Sequence, residues 1–424
     1  MNSRKKALEI LFEVLISKQF SNVLLAKISK AKDISSVDKQ FIYTLVYGTI
    51  KNKIFIEYVA NKLINPDKTP RKIQVILWMS IFQIIHLQNI PDYAIVNESV
   101  ELTKEISKNY SGLVNGVLKR FITEQKELTK INIKNKQNIK PLGLSFPFWL
   151  FKKISRDYSL DVAIKVAENS LQKAKIAVRV NSLKGDIEEI FKRYHDEYNF
   201  KYSELCQDSL ISERSVISSD LFKEGQITIQ DEASALVCQV LSPKPNSKIL
   251  DMCSAPGGKL THIGALTNNE SEITAYEISE KKIDKIKENL TRLGVLNVKI
   301  INEDATKIPG ENEYDYVVLD APCSGFGVLK RKPEIKLQSF SKEQFQSLYD
   351  NQKKLLQRAF ELLKPGGEMV YSTCTINIDE NQNQIKALQE NNSNVTIMEE
   401  IQIFGFEKNT DGFYICKITK TLLE

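Results

Sequence analysis

The sequence predicts a multidomain chain with an all-α N-terminal domain, a small α+β connecting module, and an α/β domain on a mostly parallel, doubly wound sheet. Three observations predict it. Apolar residues recur at helical spacing from residue 4 to about 125, and short apolar runs alternate with amphipathic stretches from about 246 onward. A chain of 424 residues also exceeds the usual size of a single core, and its 42% hydrophobic content lets each part bury an interior of its own.

The first domain, 1–125, carries the helical period in Ala7, Leu8, Leu11, Phe12 and Leu15, then in Phe41, Leu45 and Val46, and again in Ile73, Ile76 and Leu77. Several short amphipathic helices are expected. Asn65-Pro66-Asp67 and Asn89-Ile90-Pro91-Asp92 supply helix-start signals. Residues 126–140, KELTKINIKNKQNIK, are polar and aperiodic and read as a linker. Residues 141–240 mix helix and strand patterns, and 241–424 form the α/β domain.

Charge is uneven along the chain. Residues 1–140 hold 23 Lys+Arg against 12 Asp+Glu, a balance of +11, whereas the remainder is −5. A basic front segment fits a polyanionic partner, because clustered cations displace counterions from phosphates. Export is not expected, since Glu9 and Glu13 interrupt the apolar stretch behind Arg4-Lys5-Lys6. The uncharged window 73–91 approaches membrane-spanning length, but Gln74, Ser80, Gln83, His86, Gln88 and Asn89 make a buried helix the better reading. Cys206, Cys238, Cys253, Cys323, Cys374 and Cys416 show no metal-binding spacing, so free thiols in a reducing cytoplasm and no metal are expected.

In the α/β domain the expected strands are 248–251, 273–278, 298–302, 314–319 and 368–372, with helices near 280–293 and 345–363 and a last strand pair at 402–404 and 412–418. A Rossmann-like sheet follows, and its ligand belongs at the carboxyl ends of the strands. There the first strand runs into Cys253-Ser254-Ala255-Pro256-Gly257-Gly258-Lys259, small residues that let backbone approach a nucleotide-like cofactor. Glu277 ends the second strand, where an acid accepts from ribose hydroxyls, and Asp304 ends the third, where it can receive a base's amine. The fourth delivers Asp320-Ala321-Pro322-Cys323 and the fifth Thr373-Cys374. Two thiols beside a cofactor pocket suit methylation of cytosine at carbon 5, an unreactive position until a thiolate adds to carbon 6. Asp320 would supply or share the proton at N3.

The strings DMCSAPGGK, DAPCSGFG with KRKPEIK, and YSTCTINIDEN resemble motifs of the RNA 5-methylcytosine methyltransferases of the Nol/Nop/Sun (NSUN) family. The resemblance implies a class I methyltransferase domain using S-adenosylmethionine, with Cys374 as nucleophile, Cys323 promoting product release and Asp320 between cofactor and base. It assigns Cys253 to Lys259 to the cofactor loop, Glu277 to the ribose and Asp304 to the adenine. Ser254 and Glu277 stand where Ala and Asp are common. Lys330, Arg331 and Lys332 are candidates for RNA phosphates.

Arg4, Ala7, Ile90 to Glu98 and Val114 to Arg120 resemble the helical NusB RNA-binding domain, while Arg179 to Leu183 and Gly225 to Leu236 resemble the family's connecting module. A NusB-like front on this core marks the branch that modifies small-subunit (16S) ribosomal RNA. The implied partner is ribosomal RNA with a single-stranded or extruded cytosine, with no membrane and no obligate protein partner. The alternatives are a non-catalytic NusB-like RNA-binding regulator, or the same chemistry on tRNA or another RNA. A nicotinamide-dependent dehydrogenase is disfavoured because GxGxxG is missing and His86, His195 and His262 are scattered.

Overall fold

The computed structural model describes residues 2–422; Met1, Leu423 and Glu424, the extremities of the first and last expected domains, lie outside the described residues. By packing, the chain divides into a unit of Met1–Gln172 with Leu329–Ser339 and a unit of Lys173–Val328 with Phe340–Glu424.

The first unit is helical: α1 (Ser3–Leu15), α2 (Ser21–Lys30), α3 (Ser36–Ala60), α4 (Arg71–His86), α5 (Asp92–Ser107), α6 (Ser111–Leu128), α7 (Ile139–Gly143), α8 (Phe148–Asp157) and α9 (Leu160–Leu171). Side chains start three of them, Asn2 accepting from the Arg4 and Lys5 amides, Ser35 from that of Asp38 and Ser159 from that of Val162. Pro91 directly precedes α5, as its signal predicts, whereas α4 starts at Arg71 behind Pro70, a few residues after the Asn65-Pro66-Asp67 signal.

Not every helix is short. α3 runs for 25 residues, because no proline interrupts it and its Gly48 is where the Phe82 ring of α4 packs, so close that a Cβ there would overlap the ring at 1.9 Å. The uncharged window is mostly α4, buried on nearly all sides, with its Ser80 hydroxyl satisfied by the Ile76 carbonyl and by Ser99. Among the described residues no helix is long and apolar enough to cross a membrane.

A late piece of sequence completes this unit. The carboxylate of Glu334 accepts from the Ser21 amide and hydroxyl, both at 2.9 Å, and Lys336 donates to the Lys51 carbonyl at 2.6 Å. Lys330 is buried, and Arg331 and Lys332 are half-buried. Lys330 is therefore not the surface cation expected of a phosphate contact.

The second unit holds two sheets. The small one is antiparallel, with β1 (Ile176–Val180), β2 (Lys201–Tyr202), β3 (Ser209–Ser212) and β4 (Ile227–Ile229) in the order β2-β3-β1-β4, joined through α10 (Ile187–Tyr198) and α11 (Asp220–Lys223). The large one comprises β5 (Lys248–Asp251), β6 (Glu272–Tyr276), β7 (Val298–Ile301), β8 (Tyr314–Asp320), β9 (Leu363–Thr373), β10 (Val395–Ile403) and β11 (Phe413–Lys420). Its order is β10-β11-β9-β8-β5-β6-β7, parallel from β9 to β7 and antiparallel at β11 and β10.

Helices cover both faces: α12 (Glu232–Leu241), α13 (Gly258–Leu266), α14 (Glu280–Leu293), α15 (Lys342–Leu362) and α16 (Gln382–Asn391). Because side chains alternate along a strand, Leu250, Val317 and Leu319 pack with Leu355 and Phe360 of α15, while Ile249 and Val318 pack with Val237 and Ile263 of α12 and α13. That double burial explains the continuous apolar runs.

Phe121→Ala should lower the stability of the helical unit by roughly 3–5 kcal/mol, since the ring is fully buried. Both tryptophans, Trp78 and Trp149, lie in this unit, so the shift is read from their fluorescence in a urea titration.

Candidate active site

The strand order reverses between β5 and β8: from β5 the chain goes on to β6 and β7 on one side and returns to β8 and β9 on the other. Loops leaving the carboxyl ends of this pair diverge and open a crevice, the usual ligand position of such sheets. Five sequence-derived candidates, Asp320, Cys323, Cys374, Lys259 and Cys253, lie on the loops, strand ends and first turn of α13 around it.

The loop after β5 is shaped by Ser254, whose amide donates to the Tyr276 carbonyl at 3.0 Å and whose hydroxyl donates to the Asp251 carbonyl at 2.9 Å. Gly257 then takes φ +96°, a left-handed conformation that costs glycine little, and Gly258 begins α13. From the small sheet, fully buried Arg179 donates to Gln230 at 2.8 Å and to Thr261 of α13 at 3.1 Å, bracing the helix that carries the loop.

Asp251, not singled out from the sequence, is fully buried and makes no well-formed hydrogen bond through either carboxylate oxygen, Ser254 and the Cys253 backbone favouring its charge only weakly. Burial pushes its pKa up to about 7; Lys259 opposes the shift and Asp320 adds to it. An orphaned carboxylate at a cofactor loop fits a ligand bearing a cationic group. Cys253 is held as a neutral thiol, by burial first and then by Asp251, Asp320 and Glu277.

Glu277 directly follows β6, is buried, and accepts from the Ser279 amide at 2.9 Å through one oxygen. Asp304 stands three residues beyond β7 rather than at its end. One of its oxygens caps a short turn, accepting from the amide and hydroxyl of Thr306 at 3.0 and 2.8 Å, which lowers its pKa. Among the described residues no cluster of three or more His, Cys, Asp or Glu side chains is arranged to hold a metal ion. His262 is buried against Asp208 at 3.0 Å.

β8 and β9 pair in parallel with Asp320 opposite Ser372, and the Ser372 hydroxyl donates to Asp320 at 2.9 Å. The other Asp320 oxygen meets the Lys259 ammonium at 2.6 Å. Burial works against the charge on Lys259, yet Asp320 outweighs it and the amine's pKa is raised. Lys259 was assigned only to the cofactor loop; its partnership with Asp320 is new information.

Cys323 and Cys374 come together with their sulfurs 3.3 Å apart, and both are free thiols. The approach depends on Gly327, whose amide donates to the Cys374 carbonyl at 3.0 Å and where a Cβ would strike the Gly412 carbonyl oxygen at 1.8 Å. Cys374 on one side, burial, and the carboxylates of Glu380 and Asp320 raise the pKa of Cys323 well above the ordinary thiol value. Beneath the sulfurs lies a buried polar network of Ser324, Gln352, Thr375, Asn377 and Glu380. Ser324 stands in the DAPCSGFG string and Thr375, Asn377 and Glu380 in YSTCTINIDEN, but none of the five is given a role by the sequence reading.

A seven-stranded sheet with this crevice, attached to a helical domain and a small antiparallel sheet, is the architecture of a Rossmann-like methyltransferase with added modules. Residues 238–419 match the 16S rRNA methyltransferase RsmB/F family, 1–123 the NusB family, and 146–216 the ferredoxin-like domain of RsmF/B-like methyltransferases. A probable ribosomal RNA small subunit methyltransferase B of Bacillus subtilis is 33% identical over 443 residues, covering 98% of each chain. A ribosomal RNA small subunit methyltransferase B of Proteus mirabilis is 30% identical over 399 residues, covering 92% of each. Among solved structures, a methyltransferase homolog from Pyrococcus horikoshii superposes with a TM-score of 0.60 at 26% identity, covering 68% of this chain and 100% of that one. The chain belongs to the RsmB/F family of ribosomal RNA methyltransferases, in the form that carries a NusB domain.

The raised pKa of Asp251 has a signed consequence. Below about pH 4 the group is neutral folded or unfolded; between there and about pH 7 only the unfolded chain gives up the proton, so its contribution to stability is lost as pH rises through that window. The stability of wild type relative to Asp251→Asn should therefore fall from pH 4 to pH 7, as read by hydrogen exchange across β5.

Proposed function

We propose that this chain transfers the methyl group of S-adenosylmethionine to carbon 5 of a cytosine in 16S ribosomal RNA, through a covalent adduct on Cys374. In this reading 1–125 is the NusB-like RNA-binding domain, 126–140 a linker, 141–240 the connecting RNA-binding module and 241–424 the catalytic domain, acting in the cytoplasm. The observation that carries it is the pair of sulfurs 3.3 Å apart beside the Lys259–Asp320 ion pair.

The cofactor supplies an electrophilic methyl group when bound. Asp251 would hold its cationic amino group, Gly257 and Gly258 admit it, Glu277 accept from its ribose and Asp304 from its adenine amine. Asp251's lack of a partner supports the first assignment.

Cys374 as thiolate adds to C6, and the C5–C6 electron pair becomes available for the methyl group. Asp320, held by its 2.6 Å contact with Lys259, would share the proton that eases this addition at N3 and take it back when the adduct collapses. Once C5 is methylated its proton leaves to a base, the double bond re-forms and Cys374 departs with the C6–S pair. Cys323, kept neutral beside that sulfur, donates a hydrogen bond to the departing thiolate. A stacked base cannot reach these groups, so the cytosine must be single-stranded or extruded.

Cys374→Ser should reduce radiolabel transfer from S-adenosylmethionine to ribosomal RNA on the order of 10³-fold or more, an alcohol being a far weaker nucleophile at neutral pH. Wild-type transfer by that variant would end the assignment. Cys323→Ala should accumulate an RNA-linked protein band on a denaturing gel, and its absence would give Cys323 another task. Bisulfite sequencing decides the substrate: a modified site in tRNA rather than 16S RNA would move the activity to the alternative RNA.

A further inference from the structure

Glu380 is fully buried, as are Gln352 and Thr375 around it. A carboxylate withdrawn from water in this way persists only with several hydrogen bonds. Glu380 has four. One oxygen accepts from the Ser324 amide at 2.8 Å and from Gln352 at 3.1 Å; the other accepts from the Ser324 hydroxyl at 2.5 Å and from Asn377 at 2.8 Å. The donors come from the loop after β8, from α15 and from the loop after β9. Its own carbonyl receives the Tyr371 hydroxyl of β9 at 2.6 Å.

The position of these donors matters. Ser324 directly follows Cys323 and Thr375 directly follows Cys374, and their hydroxyls lie 2.8 Å apart. Ser324 offers its amide to one carboxylate oxygen and its hydroxyl to the other, a two-point grip that fixes the rotation of the backbone next to Cys323. Asn377 ties the second loop to the same carboxylate. Every hydrogen bond of the carboxylate thus comes from this chain, so Glu380 acts through other residues.

We infer that Glu380 is a positioning residue for adduct release, clamping the Cys323 loop to the Cys374 loop so that the Cys323 thiol stays on the sulfur that must depart. The inference rests on the proposed two-thiol reaction and adds a residue to it. Two further facts agree: Glu380 is among the groups that keep Cys323 protonated, and Gln352 also donates to the Pro322 carbonyl at 2.8 Å, one residue before Cys323.

Glu380→Gln keeps the shape but puts an amide NH₂ where an oxygen was. One side of the carboxylate faces two amide donors and the other faces Asn377, so either orientation sets donor against donor. Ser324→Ala is the milder variant, removing one contact and leaving the charge. The full-length variants are compared with wild type and Cys323→Ala, using S-adenosylmethionine and transcribed 16S RNA. Adduct formation and decay are followed on denaturing gels, and cofactor affinity by calorimetry.

Glu380→Gln should bind the cofactor as wild type does and slow adduct decay about tenfold or more, with KM for RNA within about twofold; Ser324→Ala should slow decay by about threefold. Wild-type decay in both variants overturns the inference. So does wild-type decay in Ser324→Ala when Glu380→Gln has lost cofactor binding, because the glutamate is then only a structural support. If wild type transfers no methyl group and Cys323→Ala traps no adduct, the two-thiol reaction itself has failed and this inference falls with it.

Discussion

The parallel register of β8 between β5 and β9 sets the distances on which the rest of the site depends. Asp251 lies opposite Val318, and Asp320 opposite Ser372, so the three strands end nearly level and their loops rise from one edge. A slip of one residue in β8 would turn every side chain to the other face. Asp320 would leave Lys259, and Cys323 would no longer meet Cys374. Apolar packing on both faces prevents this, because Leu319 and Val318 are each fully buried against a different helical layer.

Within that frame the electrostatics are unbalanced toward acid. Asp251 and Asp320 come close to one buried ammonium, that of Lys259, which is committed to Asp320 at 2.6 Å. Asp251 is left with burial and no well-formed hydrogen bond, Ser254 and the Cys253 backbone offsetting the burial only in small part. This arrangement favours a ligand that brings its own positive charge. Around it, Cys253 and Cys323 are both driven toward the neutral thiol by burial and by carboxylates, so the acids that suit a cation also restrain two of the nearby sulfurs.

Much of this fold was legible because its strands are short apolar runs that stop at a charged or sulfur-bearing residue. β5 coincides with its expected span and α14 with 280–293. β9 begins earlier than 368 because Leu363 already pairs with Tyr314; Pro365-Gly366-Gly367 then leave the ladder at an irregularity, and pairing resumes at Glu368. β10 is longer than 402–404 because Glu399 and Glu400 sit on an edge strand beside a bulge, where charge breaks the apolar pattern. In the site, thiols and acids at strand ends could be named from spacing. Lys259 against Asp320, the unpartnered Asp251 and the four-way grip on Glu380 could not, since each depends on residues that only tertiary packing brings together.

Leu329–Ser339 is encoded after most of the large sheet, yet it packs with helices made from the first part of the gene. As the chain emerges from the ribosome, the helical bundle has its buried core early, but Ser21 lacks its Glu334 partner until this late insertion arrives. Vectorial synthesis therefore cannot finish one body before starting the other.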